Sequence, residues 1–322
     1  MLCRTLFVAL LSCACLLPAS AQTLVTDITV PGMPNGIAVN PNNNRIYVAI
    51  PATTSSDAPE VAVIDGYTNS IIDEVSVPTG VQFVAVNLST GFVYATGCIY
   101  PANRCSVSVI NGATDEITTT IPIDGTEGIG VQGIAVDPIL NRIYVADDNT
   151  NQLVVINGVT NQTLYVYDVN AELLGMAVDF GTHQLLAAPS GSVLDLFNGT
   201  TYKESQIRVG FINQDVAVNS YTSLAYVTNN AGNTLGIVNL KTFTASSILI
   251  GNVPYGVSVD YLSNLIFVSI GTGEVVELNG STNTKTGGVY APSSYLDVNP
   301  VTRTVYASSQ EVGETAVHVI SE

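Results

Sequence analysis

Positive charge is scarce in this chain of 322 residues, and the scarcity limits what the protein can bind. Lys and Arg number 9 against 26 Asp and Glu, which gives a net charge of −17. A surface of this sign repels phosphate backbones and anionic lipid headgroups. The few basic residues are also scattered along the sequence. We therefore expect no nucleic-acid partner.

Histidine is rarer still, which leaves little material for catalysis. The two histidines, His183 and His318, have no Ser or Cys nucleophile arranged near them in the sequence. A nucleophile–histidine site is therefore disfavoured, and we expect structural roles for both. The sequence predicts no catalytic residues, although it leaves open whether the protein is an enzyme.

The chain has no apolar run long enough to span a bilayer near its amino terminus, where Thr5 to Leu17 is the apolar stretch. Arg4 precedes this stretch, and Ala19-Ser20-Ala21 follows it with the small-residue pattern of a cleavage site. We predict that residues 1–21 are a secretory signal and that 22–322 form a single domain. The mature chain is then exported to the periplasm, the cell surface or the medium, with no membrane insertion. A retained anchor is the alternative.

Cysteine is almost confined to that predicted signal, since only Cys98 and Cys105 lie beyond it. Two cysteines in an exported chain predict a disulfide. Closing so small a loop contributes about 2.5 kcal/mol on the chain-entropy model. Two unpaired buried thiols are the alternative.

A short segment recurs seven times in what remains, in the order small residue, aliphatic, Ala, Val, and Asn or Asp. The copies repeat about every 43 residues, the length of one four-stranded propeller blade. They are Gly36 to Asn40, Phe83 to Asn87, Gly133 to Asp137, Gly175 to Asp179, Asp215 to Asn219, Gly256 to Asp260 and Tyr295 to Asn299.

The first copy shows how one blade is encoded. Gly36 to Val39 predicts an innermost strand, and the Asn-rich turn after it leads to a β-branched and aromatic second strand, Arg45 to Ala49. Val61 to Asp65 and Ile71 to Val77 predict the third and outer strands. Asn-Gly steps after the third strands of other blades are strong signals of tight turns.

The last copy supplies only three strands, and its missing fourth is found at the other end of the chain. Leu24 to Pro31 resembles the outer strands of other blades and precedes the first copy. We predict that it pairs beside Ala316 to Ile320 and closes the ring. The expected fold is all-β: a seven-bladed β-propeller with four antiparallel strands per blade.

The second strands carry a family resemblance. Arg45 to Ala49, Arg142 to Ala146 and above all Tyr226-Val227-Thr228-Asn229 resemble the YVTN β-propeller repeats of bacterial and archaeal surface-layer-like and periplasmic proteins. The resemblance covers residues 24–320 and implies a seven-bladed ring with binding or surface roles. Gln184 to Ala188 departs from it by lacking Tyr. Absence of any Trp excludes the WD-type propeller.

Polar residues stand directly before the innermost strands, where they would surround one mouth of the channel. All except Leu174 are polar and uncharged, which suits hydrogen bonds to a neutral ligand. They are Asn35, Gln82, Gln132, Leu174, Gln214, Tyr255 and Ser294. The alternative is that they only solvate a water-filled funnel.

Two innermost strands carry a carboxylate at a small-residue position of the repeat, since Asp215 stands in place of Gly and Asp297 in place of Ala. A carboxylate near the axis must be hydrated, paired or bound to a cation. Both are weak candidates for a metal, with calcium the possible ion, although we expect no resident cofactor. The Asn or Asp after Val recurs in every blade and is expected to make a turn bond instead.

Three loops between second and third strands are predicted to be long: Ile50 to Glu60, Gly97 to Cys105 and Ser308 to Thr315. They belong to neighbouring blades and carry Asp57, Glu60, Glu311 and Glu314, which predicts an acidic rim on one side. This rim is a candidate partner surface, and neutral drift of exposed loops is the alternative.

These observations favour an exported binding scaffold that engages a protein or glycan partner through its loop-rich face. The competing hypothesis is an enzyme, either a metal-dependent hydrolase of the lactonase type or the propeller subunit of a periplasmic dehydrogenase. The hydrolase needs axial Glu, Asp and Asn ligands, and the innermost strands contain no Glu.

Overall fold

Twenty-eight strands and the turns between them make up the part of the chain described by the computed structural model, which contains no helix. The strands form seven separate four-stranded antiparallel sheets, the blades of a β-propeller. This confirms the fold predicted from the repeat. The described residues are 22–52, 58–78, 80–99, 104–123, 130–147, 150–169, 171–201, 203–309, 311 and 313–322, so the predicted signal lies outside them.

Blades one to four follow one another along the chain, each running from its innermost to its outer strand. Blade one has β2 (Ile37–Asn40), β3 (Arg45–Ile50), β4 (Glu60–Asp65) and β5 (Ser70–Ser76). Blade two has β6 (Phe83–Val86), β7 (Phe92–Ile99), β8 (Arg104–Asn111) and β9 (Glu116–Ile123). Blade three has β10 (Val131–Asp137), β11 (Arg142–Asp147), β12 (Gln152–Asn157) and β13 (Gln162–Asp168). Blade four has β14 (Leu173–Asp179), β15 (Gln184–Pro189), β16 (Val193–Asn198) and β17 (Glu204–Arg208).

Blades five to seven complete the ring. Blade five has β18 (Asn213–Asn219), β19 (Leu224–Asn229), β20 (Thr234–Asn239) and β21 (Thr244–Leu249). Blade six has β22 (Pro254–Asp260), β23 (Leu265–Ile270), β24 (Glu274–Asn279) and β25 (Thr284–Tyr290). Blade seven has β26 (Ser293–Asn299), β27 (Thr304–Ser309) and β28 (Ala316–Ser321), and its outer strand is β1 (Thr23–Thr29) from the amino terminus.

The ring closes as the sequence predicts, although the closing strand is shifted slightly from the predicted Leu24 to Pro31. β1 pairs antiparallel with β28, so that Thr29 lies opposite Ala316 and Thr23 opposite Ser321. Across this junction the buried imidazole of His318 lies 2.7 Å from an Asp27 carboxylate oxygen through Nδ1. Its Nε2 lies 3.1 Å from the Pro292 carbonyl. His318 therefore ties the two ends of the chain together.

The apolar core lies between blades rather than within any one of them. Each of the seven apolar clusters of the described residues joins two neighbouring blades. Tyr47 of blade one is fully buried, and its hydroxyl donates to the carbonyl of Gly112 in blade two, 3.3 Å away. A Cβ on Gly112 would lie 2.8 Å from that hydroxyl. The Tyr strand and the Asn-Gly turn are therefore two halves of one contact between blades.

The Asn or Asp after each repeated Val builds the turn that follows. In all seven blades its Oδ1 accepts a hydrogen bond from the backbone N–H two residues later. In four blades a second side-chain atom reaches the positive-φ turn residue of the next blade. These pairs are Asn87 with Asn141, Asp137 with His183, Asn219 with Asn264 and Asn299 with Asn44. The repeated residue is thus a structural one.

Two faces result from this arrangement. The loop face is the one at which the innermost strands begin, together with the loops between second and third strands. The turn face is the opposite one, with the turns that follow the innermost and third strands. The axial cavity runs between the two faces, inside the ring of innermost strands.

Candidate functional site

The polar residues predicted to surround the mouth on the loop face fall into separate groups. The Asn35 amide donates to Gln82 Oε1 over 2.6 Å. Gln82 and Gln132 line a small cavity of about 190 Å³ that also contacts Cys98. Gln214 is half-buried at the start of its strand. The structure therefore pairs Asn35 with Gln82 and places Gln82 and Gln132 in one small cavity.

Tyr255 belongs to a different group, a groove between blades six and seven on the loop face. The groove has a volume of about 410 Å³ and is lined by Tyr255, Gly271, Thr272, Gly273, Tyr290, Pro292 and Glu311. Tyr290 is 65% exposed, and its hydroxyl lies 3.5 Å from Glu311 Oε1. The structure thus brings together Tyr255 and Glu311, which the sequence marks as candidates for separate reasons.

Gly273 forms the floor of this groove, and only glycine suits the position. Its φ of +85° is one that L side chains rarely adopt, and a Cβ would lie 2.8 Å from the Tyr290 ring. The ring of Tyr290 therefore lies over the backbone. Tyr290 was not recognisable as a site residue from the sequence, because it lies at the end of an outer strand and only the fold places it beside Tyr255.

The carboxylates of the predicted acidic rim differ in exposure and in hydrogen bonding. Glu311 is exposed in the groove, whereas Glu314 accepts a hydrogen bond from the Ser309 hydroxyl. Burial, and then the nearby Glu74 carboxylate, raise the pKa of Glu60. Asp57 lies outside the described residues. Of the three described carboxylates, Glu311 is the one that lines the groove.

The predicted disulfide is confirmed. The prediction of a long loop from Gly97 to Cys105 is wrong, because strands occupy both ends of this span. Cys98 and Cys105 are bonded, with their Cα atoms 4.0 Å apart. They lie directly opposite each other in the paired strands β7 and β8, which extend to Ile99 and begin at Arg104. Most of the span from Gly97 to Cys105 is therefore a strand hairpin, because cross-strand pairing continues past the disulfide.

The axial cavity contains the two unusual aspartates. It has a volume of about 310 Å³ and is lined by the innermost strands of all seven blades. Gln132 and Leu174 line it towards the loop face, and Tyr261 and Pro300 line it towards the turn face. Asp215, Asp297, Tyr261 and Tyr295 are its titratable residues, and no Lys, Arg or His lines it among the residues described.

Asp215 joins blade five to blade six. Its Oδ1 accepts from the N–H of Val216 at 2.8 Å, and its Oδ2 accepts from the N–H of Val257 at 3.1 Å. An innermost strand is the edge of its sheet, so half of its N–H groups have no partner strand. The carboxylate supplies the missing acceptor for two of them.

Asp297 makes equivalent hydrogen bonds from the third position of its repeat, whereas Asp215 is at the first position. It joins blade seven to blade one. Its Oδ1 accepts from the N–H of Val298 at 2.8 Å, and its Oδ2 from the N–H of Val39 at 2.8 Å. The Ser258 hydroxyl of blade six donates to Oδ1 over 3.0 Å. One carboxylate therefore contacts three consecutive blades.

Neither axial carboxylate is neutralised by a cationic side chain in the described part of the chain. Burial raises the pKa of Asp215 to about 7, against the opposing effect of its N–H donors and with a smaller rise from Asp297. Burial also raises the pKa of Asp297. Burial, and then the Asp215 charge, raise the pKa of the Tyr295 phenol to about 12. The axis is thus a place where negative charge is costly.

Aromatic rings lie at both ends of this cavity. The sequence did not predict that these rings contact one another. Tyr295 and Phe83 meet edge to face with their centroids 5.3 Å apart. Towards the turn face, Tyr261 lies 5.5 Å from Tyr221, which in turn contacts Phe180 at 6.0 Å. Phe83 and Tyr295 occupy the position that is Gly in most copies of the repeat. The sequence therefore shows that these two residues differ from the repeat, as Asp215 does.

Among the residues that the structure describes, two carboxylates line the axial cavity. No group of three or more His, Cys, Asp or Glu residues is arranged to hold a metal ion among the described residues. His183 lies on the turn face, where its Nδ1 is 2.8 Å from an Asp137 carboxylate oxygen. Both histidines thus form structural contacts between strands or blades.

Comparison of the sequence with models of known protein families and with curated proteins found no match. Within the described ranges, no helix is long and apolar enough to cross a membrane.

Proposed function

We propose that the protein is an exported binding scaffold, a propeller of the YVTN type that engages a glycan through its loop face. The groove between blades six and seven is the observation that supports this proposal. It combines two tyrosines, a glycine floor and one exposed carboxylate in a concave site. Its volume of about 410 Å³ is within the range of small-ligand sites.

The chemistry of the groove favours a sugar over an anionic ligand. The C–H face of a sugar ring stacks on an aromatic ring, and a tyrosine contributes this surface with a polar tip that stays hydrated. A carboxylate such as Glu311 accepts strong hydrogen bonds from sugar hydroxyls. No basic side chain lines the groove among the described residues, which disfavours an anionic ligand.

The ring itself supports the role of a scaffold. Its blades are joined by buried tyrosines and by hydrogen bonds between turns, so the loop face is presented by a rigid body. A rigid platform reduces the ordering cost of binding. The loops carry the variation, as is common for binding sites on repetitive folds.

A glycan array probed with residues 22–322 tests this proposal. Tyr290→Ala is expected to weaken binding to any glycan found about ten-fold, since tyrosines at the centre of a site contribute strongly. Glu311→Gln is expected to weaken it less. Tyr67→Ala is the matched control, because Tyr67 is 76% exposed on a turn of the opposite face.

Equal binding by the wild type and Tyr290→Ala would contradict the groove as the site. If a protein partner is found instead and its binding is lost in the same variants, the proposed scaffold role stands and the proposed glycan ligand is wrong. Export is tested separately by sequencing the amino terminus of protein recovered from the host's envelope or medium. A chain that begins at Gln22 supports export, and a chain that keeps its first residues contradicts it.

A further inference from the structure

The axial cavity is a second concave site, independent of the groove. None of the residues that line the groove also lines the cavity. Its volume of about 310 Å³ is at the lower end of the range for small-molecule sites. A ligand held here would be small and enclosed by the ring, whereas the groove lies open on the loop face.

Charge is the first property that selects a ligand for this cavity. Asp215 and Asp297 both line it, and its described lining contains no basic side chain. Burying a carboxylate without a positive partner is costly, and backbone N–H groups offset only part of that cost. The cavity therefore favours a positively charged occupant over a neutral or anionic one.

The rest of the wall distinguishes an organic cation from a metal ion. Hard metal ions take six or more oxygen ligands, whereas most of the lining here is aliphatic, as at Ile134, Met176 and Val218. The rings of Tyr295 and Tyr261 also line the cavity, and aromatic faces attract ammonium groups.

We propose that the axial cavity binds a small protonated amine, with its ammonium group held by the Asp215 and Asp297 carboxylates and its carbon chain against the aliphatic wall. Both carboxylates keep lone pairs free to accept from an ammonium N–H. The positive charge of a bound ammonium group would offset the effect of burial, which raises the pKa of Asp215. The site depends on a closed ring, because the innermost strands of all seven blades line it and Asp297 accepts from Val39 across the junction of blades seven and one.

Calorimetry on residues 22–322 tests this site with four probes: n-butylammonium, tetramethylammonium, 1-butanol and Ca²⁺. We expect n-butylammonium to bind and the isosteric 1-butanol not to bind. Asp215→Asn and Asp297→Asn are each expected to weaken amine binding about ten-fold, the value of one charge-assisted hydrogen bond. Asp73→Asn is the control, because Asp73 is an exposed carboxylate on the outer strand of blade one.

Tyr261→Leu provides a second variant should the aspartate variants fail to fold, since Tyr261 lies at the turn-face end of the cavity. It is expected to weaken n-butylammonium binding several-fold through loss of the aromatic contact. Binding of Ca²⁺ without binding of either organic ammonium ion would overturn the proposal in favour of a metal site. No binding by any probe, or undiminished amine binding in folded Asp215→Asn, would also overturn it.

Discussion

Aspartates lie both beneath the turn face and on the axis, and the two sets differ in burial and in how they relate to the repeat. Asp137, Asp179 and Asp260 are fully buried beneath the turn face, at a position that is Asn or Asp in every blade. Asp215 and Asp297 lie on the axis, at positions where other blades have Gly, Ala or another uncharged residue. The first set is required by the repeat, and the second departs from it.

Their hydrogen bonds show why this difference matters. The turn set accepts N–H groups of its own turn, as Asp137 does from Ile139 and Leu140. Four blades make the equivalent bonds with Asn, so the negative charge is not needed there. The axial set accepts from neighbouring blades and faces a cavity. An acid that Asn replaces elsewhere in the repeat is structural, and an acid at an exceptional position is a candidate for function.

Opening the ring should have the largest effect, because it removes the blade junction on which the axial set depends. Deleting residues 22–31 removes β1, exposes His318 and leaves blade seven with three strands. We expect the melting temperature to fall by about 10 °C or more, which for a chain of this size corresponds to several kcal/mol. Calorimetry measures it, and an unchanged melting temperature would contradict closure by β1.

The second-largest effect is expected in the pH dependence of stability, where Asp215 of the axial set contributes through its raised pKa. The pKa of Asp215 is about 7 in the folded protein and about 3.8 when exposed, so the folded state binds its proton more tightly. Its contribution to stability is therefore present below pH 4 and is lost as the pH rises to 7. The loss amounts to about 4 kcal/mol. Denaturant unfolding of wild type and Asp215→Asn between pH 4 and 8 measures it.

The effect of Asp215 is given by the difference in unfolding free energy between the wild type and Asp215→Asn. Burial also raises the pKa of Asp195 to about 6 and that of Glu322 to about 8, but both groups are present in each protein. Asp215→Asn keeps an Oδ1 acceptor and no longer titrates. The difference in unfolding free energy should thus change with pH between 4 and 7 and level off above it. A constant difference would contradict the burial of an unneutralised charge.

The smallest effect is expected from the turn set. Asp137→Ala removes the acceptor of two backbone N–H groups and the partner of His183, which should cost about 2 kcal/mol. Asp179→Asn keeps the acceptor for the Gly181 N–H and should cost less than about 1 kcal/mol. Denaturation midpoints compare the two. An equal loss in both variants would mean that the charge itself matters on the turn face.

The fold was predictable because its signals are local. Asn-Gly turns, β-branched strands and the repeated Asx residue each act within a few positions, and seven copies reinforce one another. Asp215 and Asp297 were also recognisable, as exceptions to a rule that the other copies define. Their acceptor roles were not, because Val257 and Val39 come from the next blade, and no local pattern specifies which N–H groups meet across the axis.

The groove was predictable only in part for the same reason. Tyr255 precedes an innermost strand and Glu311 lies in a long loop, so each stood out in its own blade. Tyr290 ends an outer strand, where an exposed tyrosine is unremarkable until the next blade is placed beside it. The loop around Cys98 was misjudged because Pro101 and Asn103 indicate a turn but do not show how far the strands pair on either side.

The titration of the Asp215 carboxyl carbon tests the distinction between the two sets most directly. Carbon NMR of the folded protein, assigned with Asp215→Asn, follows this group from pH 3 to 9. A midpoint near 7 is expected from its burial without a cationic partner. A midpoint at or below that of an exposed aspartate, about 4, would show that the axial charge is already neutralised or solvated and would contradict the role proposed for the cavity.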